Sequence, residues 1–128
     1  MLINLSNHPS SLWSGTQIQE ALNIFGTVAD MPFPPVPPEA ESEEIAQLAE
    51  VVAKDCLQKI RISADPVSAV HIMGELTLCF TVTALLQKDG ITCIASTSVR
   101  NVEVENGIKS SVFSFCRFRA YPCLNHGN

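Results

Sequence analysis

Residues 69–83, "AVHIMGELTLCFTVT", decide the fold. Ala69 to Met73 is an apolar run of strand length, Gly74-Glu75 interrupts it, and Leu76 to Gln87 is an apolar run long enough for a helix. Lys88-Asp89-Gly90 reads as a turn, and Ile91 to Ala95 as another buried strand. Two apolar strands joined by one helix make a βαβ unit, which requires a parallel sheet.

Working outward, Met1 to Leu5 is a short strand that stops at the polar, proline-containing loop Ser6-Asn7-His8-Pro9-Ser10-Ser11. Ser14 with Gln17 has capping-box spacing, Ile18, Ala21, Leu22 and Phe25 follow at helical spacing, and Gly26 ends the run. Thr27 to Met31 is a second strand. Five prolines in residues 32–38 force an extended connection, then a helix from about Ala40 to Ile60 presents Ile45, Leu48, Val51, Val52, Cys56 and Ile60 on one face. The end of the chain predicts two strands, Arg100 to Glu105 and Lys109 to Arg119, joined by Asn106-Gly107, a strong hairpin signal. The expected fold is α/β: a Rossmann-like three-layer domain spanning residues 1–128, with a mostly parallel sheet and a C-terminal antiparallel β-hairpin.

Composition narrows the function. A hydrophobic share of 46% with 16% charged residues describes a compact chain with apolar surface to bury. The net charge of -5 argues against duplex nucleic acid as a partner. Charge is uneven, however: residues 1–65 are strongly acidic, whereas Arg100, Lys109, Arg117 and Arg119 lie near the end, where local positive potential suits a small anion. The five cysteines are odd in number and several sit in apolar runs, as reduced, cytoplasmic thiols do. The N-terminus lacks a signal-peptide pattern, no stretch is long and apolar enough to span a bilayer, and so no membrane partner is expected. His8, His71 and His126 are far apart, no CxxC or HExxH spacing occurs, and no metal or cofactor is expected.

Ligands of open parallel sheets bind outside the carboxyl ends of the strands. Three loops meet that condition: Ser6 to Ser14, Gly74 to Thr77 and Ser96 to Arg100. They offer Asn7, His8, Ser10 and Ser11; Gly74, Glu75 and Thr77; and Ser96, Thr97, Ser98 and Arg100. The glycine permits close backbone approach. Capping and turn formation are the ordinary uses of the serines. Glu75 either complements the dipole of the helix it precedes or serves a ligand as acceptor or base. His71, inside an apolar strand, reads as a satisfied core or interface residue rather than a catalyst. Trp13 covers the first helix or stacks on a base. Arg117 and Arg119 share one strand face.

The opening strand ending in "SNHPS", then "MGELT", "IASTSVR" and "SVFSFCRFRAY", resembles the small stand-alone CARF-like proteins of type III CRISPR systems, including their ring nucleases. The resemblance covers essentially the whole chain. It implies a homodimer holding a cyclic oligoadenylate, with the tetraadenylate expected, across its two-fold axis, contacted by Asn7, His8, Ser10, Ser11, Gly74, Glu75 and Thr77. It further implies hydrolase activity that ends antiviral signalling, with the ribose 2′-hydroxyl as a metal-independent nucleophile. His8, Glu75 and Arg100 are the candidate catalytic residues and Ser96, Thr97 and Ser98 further ligand contacts. Members of that family differ in the residues that cleave, and no single catalytic pattern transfers onto this chain. Two alternatives stand beside the nuclease: a non-catalytic sensor or sponge for the same messenger, and an unrelated Rossmann-like protein binding a mononucleotide or flavin.

Overall fold

Alternate side chains of each apolar strand enter two different cores, and so the sheet carries helices on both faces. In the computed structural model, which describes residues 1–124, the elements follow as β1 (Leu2–Ser6), α1 (Gly15–Phe25), β2 (Val28–Pro32), α2 (Ser42–Arg61), β3 (Ala69–Met73), α3 (Leu76–Lys88), β4 (Thr92–Glu105) and β5 (Ile108–Ala120). The sheet order is β2-β1-β3-β4-β5. The pairs β1/β2, β1/β3 and β3/β4 are parallel, and β5 runs antiparallel to β4. This is the Rossmann-like three-layer α/β arrangement with a C-terminal hairpin.

On one face Ile3, Leu5, Val70 and Ile72 pack against Val52 and Cys56 of α2 and Leu78, Val82 and Leu86 of α3. On the other face Leu2, Ala69 and Ile94 meet Ala21 and Phe25 of α1, closed over by Trp13 and Phe118. Leu2, Ile3, Leu5 and Ile72 are fully buried, each stabilising the fold by roughly 1.5–3 kcal/mol. The central strands are thus held firmly enough to position polar groups at their ends.

Local signals act as the residues dictate. Ser14 Oγ accepts the Gln17 N–H at 3.2 Å and starts α1; Gly26, at φ 85°, ends it. Glu44 accepts the Glu41 N–H at 3.3 Å where the proline segment gives way to α2. Asn106 and Gly107 both have positive φ, 53° and 77°, as a two-residue hairpin turn with the favoured twist requires. All five cysteines are free thiols, and burial pushes Cys56 and Cys93 up to about 12. No helix among the described residues is long and apolar enough to cross a membrane.

One expectation is corrected. Ser96 to Arg100 is not a loop, and no separate strand begins at Arg100, because β4 runs unbroken from Thr92 to Glu105. Only Thr92 to Ile94 pair with β3, while β5 accompanies β4 along its whole remaining length, with a bulge at Thr97/Ser98. No glycine or proline interrupts these residues, so a strand that leaves the parallel sheet simply continues as one arm of a two-stranded ribbon.

Candidate functional site

The carboxyl ends of β1 and β3 are where the strand order reverses, because α1 leaves β1 on one face and α3 leaves β3 on the other. Sheets of this kind open a crevice there. A cavity of ≈ 320 Å³ occupies it, walled by Ser6 at the end of β1 with Asn7 and His8 after it, Trp13 just before α1 and Gln17 in its first turn, His71 and Met73 of β3 with Gly74 after it, and Ser96 of β4.

His71 in its wall belongs to a row of polar residues crossing three strands. Parallel register sets Asn4 opposite Asp30 on one side and opposite His71 on the other. Asn4 Nδ2 donates to Asp30 Oδ1 and to the His8 carbonyl, both at 2.9 Å. That fixes the amide, leaving Asn4 Oδ1 to accept from Ser6 Oγ at 2.8 Å and from His71 Nδ1 at 2.9 Å. Burial of the Asp30 carboxyl works to raise its pKa, but hydrogen bonds from Asn4 and Ser10 outweigh this and hold it below its usual value. The chain therefore begins in an anion.

Since Asn4 offers His71 an acceptor, the imidazole proton resides on Nδ1 and Nε2 carries a bare lone pair. Burial pushes the His71 pKa down to about 4, so the ring is neutral. His71 is only 2% exposed, and its Nε2 has no hydrogen-bond partner. The ring contacts Trp13 edge-on, with centroids 5.3 Å apart, and Phe118 at 5.8 Å. The core placement expected of His71 holds; its expected satisfaction holds for one nitrogen only.

The sequence-chosen residues divide into two groups. Asn7, His8, Gly74 and Ser96 meet around the cavity. Ser10 spends its N–H and hydroxyl on Asp30, at 3.0 and 2.8 Å. Ser11 is exposed on the adjoining turn. Thr97 Oγ1 donates to the Arg117 carbonyl at 3.1 Å, and Ser98 lies beyond the bulge, exposed and opposite Phe115. Arg100 sits four residues past Ser96, about 13 Å farther along an extended strand, where Nε and Nη2 donate to Ser111 Oγ at 3.1 and 2.9 Å. The fold does not bring it to the cavity of its own chain.

Glu75 caps α3. Its Oε1 accepts the Thr77 N–H at 3.0 Å and its Oε2 the Leu78 N–H at 2.8 Å, while the Thr77 hydroxyl bonds both oxygens. The bond from Thr77 Oγ1, then the two backbone N–H groups, keep this exposed carboxyl below its ordinary range. Its negative charge and the helix dipole are already matched. Gly74 likewise has a local reason: a Cβ there would meet the Phe33 ring at 2.6 Å. The close approach is by Phe33.

Reading by element missed Asn4, Asp30 and Ser6 as site residues. A signal was present, because the third residue of "LINLS", "VADMP" and "AVHIM" is polar in an otherwise largely apolar strand. Parallel register turns those three into one row. Larger cavities exist, of ≈ 680 Å³ beside α2 and ≈ 430 Å³ between α3 and the segment after β5. The second includes Thr83, whose buried hydroxyl also lacks a partner, but its other walls are mostly apolar. Neither lies at the mouth between β1 and β3. Among the described residues no group of three or more His, Cys, Asp or Glu could hold a metal ion, and His126 lies outside the described residues.

Residues 1–119 match the family model described as "Uncharacterized protein MJ1673 family", and the chain belongs to that family. No curated protein and no solved structure matches it.

Proposed function

We propose that this member of the MJ1673 family binds a cyclic oligoadenylate, with one adenosine unit in the cavity between β1 and β3, and opens the ring. The observation that carries this reading is the cavity: a hydrogen-bonding hollow of ≈ 320 Å³ at the reversal of strand order, near the lower end of the size range of small-molecule sites, roughly 300–1,000 Å³. Its walls include polar groups from four elements and no Arg or Lys. A nucleoside suits such walls better than a phosphate does.

The phosphates then need a cation from outside the cavity. Arg100 stands on the ribbon, on the same face as Phe113, Val102 and Val104, all three exposed apolar residues. A two-stranded ribbon is poorly stable alone. In a two-fold homodimer that face packs on a second copy and carries Arg100 across to the ring bound there. Ring opening follows if a ribose 2′-hydroxyl lies in line with the neighbouring phosphorus. The 2′-oxygen bonds to phosphorus, the bond to the 5′-oxygen breaks, and the products carry a 2′,3′-cyclic phosphate and a 5′-hydroxyl. His8, exposed on the rim, takes the proton from the attacking hydroxyl or returns one to the leaving oxygen. No step requires a metal.

A second reading, sequestration without cleavage, is favoured by the engagement of both Glu75 oxygens in capping α3. Incubation with cyclic tetraadenylate and hexaadenylate in EDTA, followed by chromatography, separates the readings. Linear products establish the nuclease, retention of intact ring establishes the sponge, and absence of both overturns the proposal.

A further inference from the structure

We propose that His71 Nε2 is the ligand-reading atom of the cavity: it accepts a hydrogen bond from a hydroxyl or amino group of an uncharged nucleoside moiety, and the Asn4–Asp30 pair is the device that keeps it an acceptor. The inference rests on the nucleoside reading of the cavity and adds the residue that selects for it.

The argument starts from the cost of the arrangement. A buried polar atom without a partner costs about 1–3 kcal/mol, and such atoms call for a specific explanation. Nε2 of His71 is such an atom: it is closed to solvent on a residue 98% buried that borders the cavity, so a ligand donor meets it once the ring or its Trp13 neighbour shifts. The opposite edge of the ring is fully engaged: Nδ1 donates to Asn4 Oδ1 at 2.9 Å, and Asn4 is itself held by Asp30 and the His8 carbonyl. Had the neighbour been a free hydroxyl, the imidazole could adopt either tautomer. The Asn4 amide, oriented by an anion, allows one.

A lone pair of this kind discriminates by chemistry. It rewards a donor such as a ribose hydroxyl or an adenine amino group, and it repels a phosphate oxygen, which offers only lone pairs. Binding a donor removes the penalty of the unsatisfied nitrogen, so the free protein is prepared for the ligand rather than strained by it. Trp13 shares the cavity wall and packs against the same ring. It is the only tryptophan of the chain, and its emission therefore reports this site alone.

The test uses the intact protein labelled with ¹⁵N-histidine and followed by long-range ¹⁵N–¹H correlation, with adenosine and cyclic tetraadenylate added separately. The expected free spectrum shows His71 protonated at Nδ1 and bare at Nε2. Adenosine is expected to move the Nε2 resonance toward the hydrogen-bonded position while leaving the protonation of Nδ1 unchanged. A proton on Nε2 in the free protein would overturn the proposal. So would retention of cyclic tetraadenylate with no change at Nε2, an outcome that leaves the functional reading intact. A response to adenosine without retention of the ring upholds His71 and overturns the functional reading; silence to both overturns both.

As a second measurement, His71→Asn keeps a donor toward Asn4 and removes the distal acceptor. It should weaken adenosine binding, read by Trp13 fluorescence, about three- to tenfold, the worth of one neutral hydrogen bond. His71→Gln places an amide oxygen near the lost position and should recover part of it. Equal affinity in all three proteins would contradict the proposal.

Discussion

Asn4 Oδ1 lies 2.9 Å from His71 Nδ1, and the two residues are direct register partners on neighbouring parallel strands. A buried amide and a buried imidazole have thus been set side by side by strand pairing alone. Asp30, one strand farther, completes the row.

Stability should fall in mild acid because of His71. Its folded pKa is lowered to about 4 by burial, from 6.5 in the unfolded chain. The groups packed around it are neutral Asn4, Trp13 and Phe118, with the Asp30 carboxylate reaching it only through Asn4 and His8 on the cavity rim. Between those pH values the unfolded chain binds the extra proton, so the stabilisation is complete above about pH 6.5 and lost toward pH 4, amounting to about 2–3 kcal/mol. Urea melts at pH 7 and pH 4.5 should show this loss in the parent and not in His71→Asn. The same loss in both would assign it elsewhere.

Gly74→Ala should destabilise the fold by about 1–3 kcal/mol, the range for overpacking, because the added carbon meets the Phe33 ring at 2.6 Å. Combined with Phe33→Leu, the two costs should fall short of additive. Additive losses in thermal denaturation would show that the glycine is required for another reason.

Glu75→Gln tests the cap against the catalytic role. The carboxyl, held below its ordinary range by Thr77 and the Leu78 and Thr77 N–H groups, lends stability above its unfolded pKa and loses it as pH falls through the lower folded value. The variant should melt at lower temperature than the parent at pH 7 and converge with it near pH 3. Single-turnover cleavage should be unchanged. A fall of tenfold or more in that rate, with stability preserved, would restore Glu75 as a base.

The ribbon predicts dimerisation. Light scattering at tens of micromolar should give a dimer, and Phe113→Glu, which puts a charge on an exposed apolar position, should shift it to monomer without unfolding. Arg100→Ala should weaken ring binding by about 1.5–3 kcal/mol, the worth of a hydrogen bond to a charged group, while adenosine binding stays as in the parent. A monomeric parent protein would contradict this part of the account.

What the sequence made legible follows from the range of the interactions concerned. Strand Ala69–Met73, helix α1 with its Ser14 cap and the Asn106-Gly107 turn are local, so a few residues suffice to announce them. The length of β4 is not local: the pairing that carries it past Ala95 comes from residues 108–120, so its middle carries the local signals of a loop. For the site, Asn7 and His8 were legible as polar residues following a strand. The row of Asp30, Asn4 and His71 was not, because its members are separated by 26 and 67 positions and become one feature only when register is known. Glu75 shows the converse: its partners are two and three residues away, and capping was visible in the sequence as one of its two readings.

The central claim is that two copies of the chain hold one cyclic oligoadenylate, with adenosine units in their cavities. Equilibrium dialysis of cyclic tetraadenylate against the protein in EDTA, carried to saturation, tests it most directly. The account predicts one ring per two chains, with affinity reduced in both His71→Asn and Arg100→Ala. No retention, or one ring per chain with both variants binding as the parent does, would contradict it.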